Sequence, residues 1–467
     1  MAPRWGPSDD IFASRSPHRK LRIVWDEDTA SSLTPDVGLL GKIVTRDSID
    51  LLRYTDTGPP PHVSVATSGS LGPHATGWAI VRAPDPAGNR LVTWSNGSST
   101  TQGIIPVAKL EQSIASQPAR TSVPQGVLGL LVAETVGADI FVTQRSVVVP
   151  NLLELVDGVT VCRPDQALAL IGLYLRCQGE YWAWEPGATD LLKVTRGLYY
   201  WVGARTLVPA TWPWFHAACQ QSRGEANDDL MLLAQSAIER IQRALQYRDE
   251  FHRAMNQRPN ADTADAALAA VDVTLLLLMG ALDASARVAH ITLGLHGSPR
   301  DAGWQSGKWL KTVRKEASAL ADVAGNGSPG QHVMTTLTTL RNSIHSQGLQ
   351  PVGLGRPFRD PNDILIRLPH GAWDRLRDPI DSLGGPVVWG VRPAAHGGDA
   401  FLEPVRLLES LFPRVLVLLN DFMLRTPVNR LAYVHLAPEH FEPTGIEFHP
   451  NTRDSILWLL GLRDQGV

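Results

Sequence analysis

The sequence reads as an α/β domain at the N-terminus, then a mainly α-helical bundle, then a small mixed extension. Three observations predict it. Short β-like runs alternate with helical stretches over residues 19–178, the pattern of an α/β domain. Long amphipathic stretches follow one another between 226 and 348, and short connections between successive helices favour an up-and-down bundle. Residues 349–467 mix Pro-, Gly- and Asp-rich loops with two short apolar runs and one strongly apolar helix. This gives four segments: the α/β domain at 19–178, a helical, Trp-rich connector at 179–225, a four-helix bundle at 226–348, and an extension at 349–467 that packs back on the bundle.

In chain order, residues 1–18 form a lead-in, and Leu21-Arg22-Ile23-Val24-Trp25 is a strand that ends at the acidic run Asp26-Glu27-Asp28. Val63–Ala66, Gly77–Val81 and Leu91–Trp94 are β-like and are separated by turn-rich Thr57–Pro61, Ala83–Asn89 and Asn96–Thr101. Val107–Ala115 and Gln125–Val136 read as helices, the second closed by Gly137; Ala138–Thr143 and Val159–Cys162 read as strands. Pro164 opens a helix over Asp165–Gln178, since proline's fixed φ and missing donor suit a first turn.

The Trp-rich stretch 181–216 is expected to hold one or two helices. The run Asn227–Met255 places Leu230, Leu233, Ala237, Ile241, Ala244 and Leu245 at helical spacing. Further helices are predicted over Asp262–Leu295, Trp304–Val323 and Gln331–Gln347, the third stopped by Gly325-Asn326-Gly327-Ser328-Pro329-Gly330. Ile364–Leu368 and Val387–Val391 suggest a small hairpin, Leu402–Arg425 a helix kinked at Pro413, Leu431–Leu436 a short strand, and Arg453–Leu462 a last helix.

Composition narrows the function. A formal net charge of −3 excludes a protein that coats nucleic acid by bulk charge, so such contacts must come from a local basic patch. Three widely spaced cysteines, Cys162, Cys177 and Cys219, argue against a disulfide framework and a zinc site. The segment Met1 to Lys20 lacks the apolar run of a signal peptide. Val273–Leu282 and Val415–Leu419 read as too short to span a bilayer. A cytoplasmic protein without membrane association, metal or cofactor is expected.

The most informative residues are Arg341-Asn342-Ser343-Ile344-His345. On the predicted helix, Val333, Leu337, Leu340 and Ile344 make the apolar stripe, and Arg341 and His345 flank it one helical turn apart. A guanidinium binds two phosphate oxygens in a planar fork, and an imidazole exchanges a proton near neutral pH. Asn342 is placed to hydrogen-bond locally. On the long preceding helix, Asp283, Arg287 and His290 share one face, so Asp283 can orient His345 or clamp Arg341 if the two helices pack antiparallel. A solvated helix border with a local hydrogen-bond network fits the same spacing.

This arginine–asparagine–histidine run, late in a predicted four-helix bundle, resembles the HEPN family over residues 226–348. The resemblance implies a metal-independent endoribonuclease, or one of the nucleotide-binding or inactive relatives, of the kind found in toxin–antitoxin and anti-phage systems. It implies a homodimer whose two copies form one cleft, RNA as substrate, and an antitoxin or defence partner. Carried over, Arg341 holds the scissile phosphate, His345 is the acid/base and Asn342 a polar helper. The implied reaction is attack of the ribose 2′-hydroxyl on the adjacent phosphorus, giving a 2′,3′-cyclic phosphate and a 5′-hydroxyl. The family usually places at least four residues between arginine and histidine; here there are three.

Ala133-Glu134-Thr135-Val136-Gly137-Ala138-Asp139-Ile140-Phe141-Val142-Thr143 resembles the late part of PIN-like nuclease domains, with Leu21–Asp28 as the matching first strand. That resemblance implies Asp26, Glu134 and Asp139 as metal-binding acids for Mg²⁺ or Mn²⁺. Gln144-Arg145 stands where a further acid is expected, which favours a degenerate PIN-like domain. Alternatives stay open: a non-catalytic sensor of RNA, nucleotide or protein, or a metal-dependent nuclease in the N-terminal domain. Trp182, Trp184, Trp201, Trp212 and Trp214 offer a base-stacking platform or simple packing. Arg240, Arg243, Arg248 and Arg253 suit ion pairs with Glu239, Asp249 and Glu250 along one helix.

Overall fold

A computed structural model of the chain describes residues 20–30, 38–44, 46–55, 77–81, 86, 89–95, 100–105, 125–145, 159–184, 191–257, 260–347, 350–352, 364–368, 371–393, 400–441 and 449–463. It divides into two compact units. The first comprises the described residues up to Lys193 with Asn256, Gln257 and Trp458–Leu462; the second comprises the rest. The first unit therefore runs past residue 178. The connector, the bundle and most of the extension belong together in the second.

In the first unit a seven-stranded sheet has the order β5-β4-β3-β2-β1-β6-β7. Its strands are β1 (Leu21–Asp26), β2 (Ile49–Tyr54), β3 (Gly77–Val81), β4 (Arg90–Ser95), β5 (Thr100–Ile105), β6 (Ile140–Val142) and β7 (Thr160–Cys162). β3, β2, β1, β6 and β7 are mutually parallel, and β4 and β5 add an antiparallel edge. β1 is central and buried almost throughout, as expected of a parallel strand covered on both faces. The helices are α1 (Gly38–Ile43), α2 (Gln125–Thr135) and α3 (Pro164–Cys177). α2 packs on β1, β5 and β6, bringing Val127, Leu130, Leu131 and Val132 against Val24, Leu52, Tyr54 and Phe141. Gly129 permits this approach, since a Cβ there would lie 2.5 Å from Phe141 Cζ. A hairpin of β8 (Trp182–Trp184) and β9 (Leu191–Lys193) completes the strands. Arg176 Nη1 donates to the Leu459 carbonyl at 2.7 Å, which holds the returning end of the chain in this unit.

Strand order reverses between β1 and β6: the chain steps outward through β2 and β3, then returns to the other side of β1. In open α/β sheets the crevice beyond the strand C-termini at such a switch point is where ligands bind. Asp26 ends β1 there, and Thr143 follows β6.

The second unit is mainly helical. It contains α4 (Arg196–Leu207), α5 (Thr211–Glu225), α6 (Asp229–Met255), α7 (Ala261–Thr292), α8 (Gly307–Glu316), α9 (Ser318–Val323), α10 (Pro329–Gln347), α11 (Ala372–Ser382) and α12 (Pro404–Arg425); most of α13 (Pro450–Leu460) also belongs to it. α6 and α7 form a long hairpin of helices. α4 and α5 pack on α6, and α10 and α12 pack on α7. The bundle thus recruits helices from both sides of the segment 226–348. The Trp304 ring stacks on Phe422 of α12 at 3.8 Å, and its indole N–H donates to Ser285 at 2.9 Å.

Several expectations need correction. The helix predicted over 304–323 breaks at Ala317, whose φ of −152° and ψ of 80° are not helical. Ile364–Leu368 and Val387–Val391 do not pair with each other. Instead β11 (Leu365–Arg367) pairs with β10 (Gln350–Val352) and β13 (Ala400–Leu402), and β12 (Val391–Pro393) pairs with β13. Val387 and Val388 sit exposed in a turn. Leu431–Leu436 forms no strand but follows a 3₁₀ turn. α1, β2, β5, the β8–β9 hairpin and α11 were not expected. Val63–Ala66 and Val107–Ala115 lie outside the described residues. α7 is long and apolar enough to cross a membrane, unlike the shorter stretches considered from sequence; 56% of its apolar window is buried inside the fold, as in the core helix of a bundle.

Candidate functional site

α6, α7 and α10 each bring an arginine toward one carboxylate, Asp283 of α7. Burial pushes the Asp283 carboxyl above its usual range, while Arg287, Arg341 and Arg240 pull in the opposite direction and do not overcome it. Arg341 is half-buried on α10 and donates from Nη1 to Asn342 Oδ1 at 2.9 Å. Next to it Ser343 is buried and its hydroxyl donates to the Thr339 carbonyl at 2.8 Å. His345 lies one turn further along the same helix, and its side chain is outside the described residues. Arg287 has its Nε sealed without a hydrogen-bond partner.

Arg240 is the member that helical spacing alone misassigned to neighbouring acids. Arg243 and Arg253 do pair with Glu239 and Glu250, at 3.3 and 2.7 Å. Arg240 instead bonds Ser236 at 2.5 Å and lies against Gly280, where a Cβ would meet its Nε at 2.8 Å. A glycine inside the run Leu275–Leu282 was the available signal, because an isolated helical glycine often marks close approach. His290, expected on the face of Asp283 and Arg287, is buried, and its Nδ1 accepts from the Trp309 indole at 3.1 Å.

Three guanidinium groups acting on one carboxylate leave a surplus of positive charge even with the carboxylate ionised. Such an array suits a phosphodiester, which offers planar pairs of oxygens to arginine.

The acids of the first unit do not converge. Asp26 is fully buried at the C-terminal end of β1. Its carboxylate accepts the Thr143 and Thr29 hydroxyls at 2.6 and 2.7 Å, and Arg145 binds it through Nε at 2.8 Å and Nη2 at 3.2 Å. Arg145 also reaches Asp28 at 2.7 Å. Asp139 lies at the opposite, N-terminal end of the strands, where its carboxylate accepts the Arg22 amide at 2.8 Å. From Arg22 to Asp26 the strand advances about 13 Å at about 3.3 Å per residue. Glu134 is in the last turn of α2, which leads through Gly137 into the N-terminal end of β6. Asp26 therefore shares no metal position with Glu134 or Asp139, and its charge is met by a guanidinium. Among the described residues no group of three His, Cys, Asp or Glu side chains is placed to hold a metal ion.

The tryptophans offered as a stacking platform divide between the two units: Trp182 and Trp184 on β8, Trp201 on α4, and Trp212 and Trp214 on α5. No protein-family model, curated protein or solved structure matches the chain.

Proposed function

We propose that the protein acts on RNA as a metal-independent endoribonuclease through Arg341 and His345, with Asn342 as a polar helper. One observation carries this reading: Arg240, Arg287 and Arg341, from three different helices, all act electrostatically on Asp283, and Arg341 shares its helix with His345. In this reading the guanidinium groups hold the scissile phosphate and neutralise charge in the transition state. His345 moves the 2′-hydroxyl proton. The helical unit is then HEPN-like and the first unit a degenerate PIN-like domain, with Arg145 occupying the charge position of a metal. Three free cysteines are compatible with a reducing cytoplasm.

The proposal includes a homodimer. Asp272, Leu276, Gly280, Asp283 and Arg287 run as one incompletely buried stripe along α7. Asp272 and Arg287, near its two ends, are only partly buried and make no ion pair among the described residues. A second copy laid antiparallel would set Asp272 against Arg287 twice, the reciprocal pattern of a two-fold interface. The test is RNA cleavage in EDTA by the purified chain: cleavage of RNA but not DNA is expected, and His345→Ala should abolish it with the fold intact. Full activity in that variant would remove the proposal. A second reading, RNA or nucleotide sensing without turnover, is favoured by the Arg145–Asp26 pair, which neutralises the acid at the switch point. It predicts binding that is lost in Arg341→Ala while no product forms.

A further inference from the structure

Arg205 of α4 is 4% exposed, and among the described residues it makes no hydrogen bond or ion pair. Its Nε is sealed without an acceptor. Three rings enclose the guanidinium: Trp212 at 4.2 Å, Trp201 at 4.9 Å and Phe215 at 5.1 Å from their centroids. Ring faces attract a cation but do not replace the acceptors that a guanidinium loses on leaving water. Burial lowers its pKa to about 10.

The neighbours are cationic or neutral. His216 of α5 stands beside His440, with ring centroids 4.9 Å apart. Burial, His440 and Arg205 all hold the His216 imidazole below its usual range. Cys219, on the next turn of α5, feels both Arg205 and Arg223, yet burial outweighs them and pushes the thiol up, so it is an uncharged S–H at neutral pH. No carboxylate lies within ion-pair distance of Arg205, His216, Arg223 or His440 among the described residues. His440 Nδ1 accepts the Ala437 amide at 2.9 Å, which leaves Nε2 as the ring nitrogen that can donate to a ligand.

A buried cation with no internal counter-ion calls for an external one. Arg205 and His440 both act electrostatically on His216, and Arg223 acts on Cys219 one turn along the same helix; a run of basic groups with no carboxylate among them suits a dianion better than a single carboxylate. We propose that Arg205, His216 and His440 form a binding site for a phosphoryl group, with Arg223 at its rim. The source is inorganic phosphate or a nucleoside monophosphate. The site stands apart from Arg341 and does not depend on the proposed ribonuclease activity.

The experiment is calorimetric titration and thermal unfolding of the full chain with sulfate, inorganic phosphate and AMP. Saturable one-to-one binding is expected for sulfate and phosphate. AMP binding tighter than phosphate assigns the nucleotide source, and equal or weaker binding assigns the free ion. Arg205→Met should lower sulfate affinity at least tenfold and abolish the rise in melting temperature with sulfate. In anion-free buffer that variant should melt no lower than the parent, because the uncompensated charge is gone; a purely structural role for Arg205 predicts a lower melting temperature. His216→Gln/His440→Gln, at half-buried positions, keeps the test valid if Arg205→Met fails to fold, and should weaken sulfate severalfold. Sulfate does not titrate near neutrality, so its affinity should rise severalfold from pH 8 to pH 6 as His216 gains a proton in the complex. That dependence should vanish in His216→Gln. Absence of saturable anion binding, or binding unchanged in both variants, overturns the proposal.

Discussion

Replacing Arg145 by methionine tests the account of the switch-point crevice. Asp26 is 0% exposed, and the Arg145 side chain is 9% exposed, with two bonds to the carboxylate at 2.8 and 3.2 Å. Hydrogen bonds to charged groups contribute about 1.5–3 kcal/mol each. Breaking a buried pair by removing one partner costs about 3–5 kcal/mol. The second contact of Arg145, to the more exposed Asp28, adds about 0–1 kcal/mol. Thr29, Thr143 and the Asp28 amide still donate to Asp26 in the variant, so the lower part of the range, about 3 kcal/mol, is expected. Asp26→Asn in the same background removes the uncompensated charge and should recover most of the loss. Urea unfolding, with hydrogen exchange read on a peptide covering β1, measures both. Arg145→Met within 1 kcal/mol of the parent, or a double variant no more stable than the single one, would refute the reasoning. Added Mn²⁺ should rescue neither, because Glu134 and Asp139 lie at the opposite end of the strands from Asp26.

Further predictions concern the helical unit. Gly280→Ala places a methyl 2.8 Å from Arg240 Nε, so the flexible guanidinium end must move. RNA affinity should fall severalfold, the log–log salt slope should shrink by about 0.7 for one lost contact to a single strand, and α7 should gain helix propensity of about 1 kcal/mol; filter binding at several salt concentrations and thermal melts check this, and unchanged affinity would take Arg240 out of the site. Arg341→Met should weaken RNA binding at least as much, measured in the same assay. Burial raises Asp272 to about 6 in the single chain. Pairing with Arg287 of a second copy would lower that value on association. Dimer affinity is then fully present above about pH 6 and lost as pH falls below it; sedimentation at pH 7.5 and 5 should show dissociation on acidification, and Asp272→Asn should flatten the dependence.

Much of the fold was legible because its elements are strongly patterned. β1, β6 and β7 are short apolar runs next to turns, and α6, α7, α10 and α12 carry long helical stripes. β2 was missed because Asp50 and Arg53 interrupt its apolar run. Those charges are paired laterally in the folded sheet, Asp50 with Arg22 at 2.8 Å and Arg53 with Glu27 at 3.2 Å. β5 begins Thr-Thr-Gln, which reads as a turn until β4 supplies its hydrogen-bonding edge. α11 hid behind Pro379, although Ala372, Leu376, Pro379 and Ile380 are its buried stripe. Helical periodicity placed Arg341 and Asp283 at the borders of their apolar stripes, and Arg341 acts electrostatically on Asp283 in the folded chain. The Arg145–Asp26 pair did not follow from periodicity, because its members are 119 positions apart and only the strand order brings them together.

The position of Trp458–Leu462 in the first unit has a consequence for biosynthesis. Proteins are made from the N-terminus, and early domains generally fold while later ones are still being translated. Here α3 cannot receive the packing partner fastened by Arg176 to the Leu459 carbonyl until residue 459 has been translated, long after the sheet itself. The unit built mainly from residues up to 193 is thus finished only after the intervening helical unit has been made, so a product truncated before residue 458 would lack part of it.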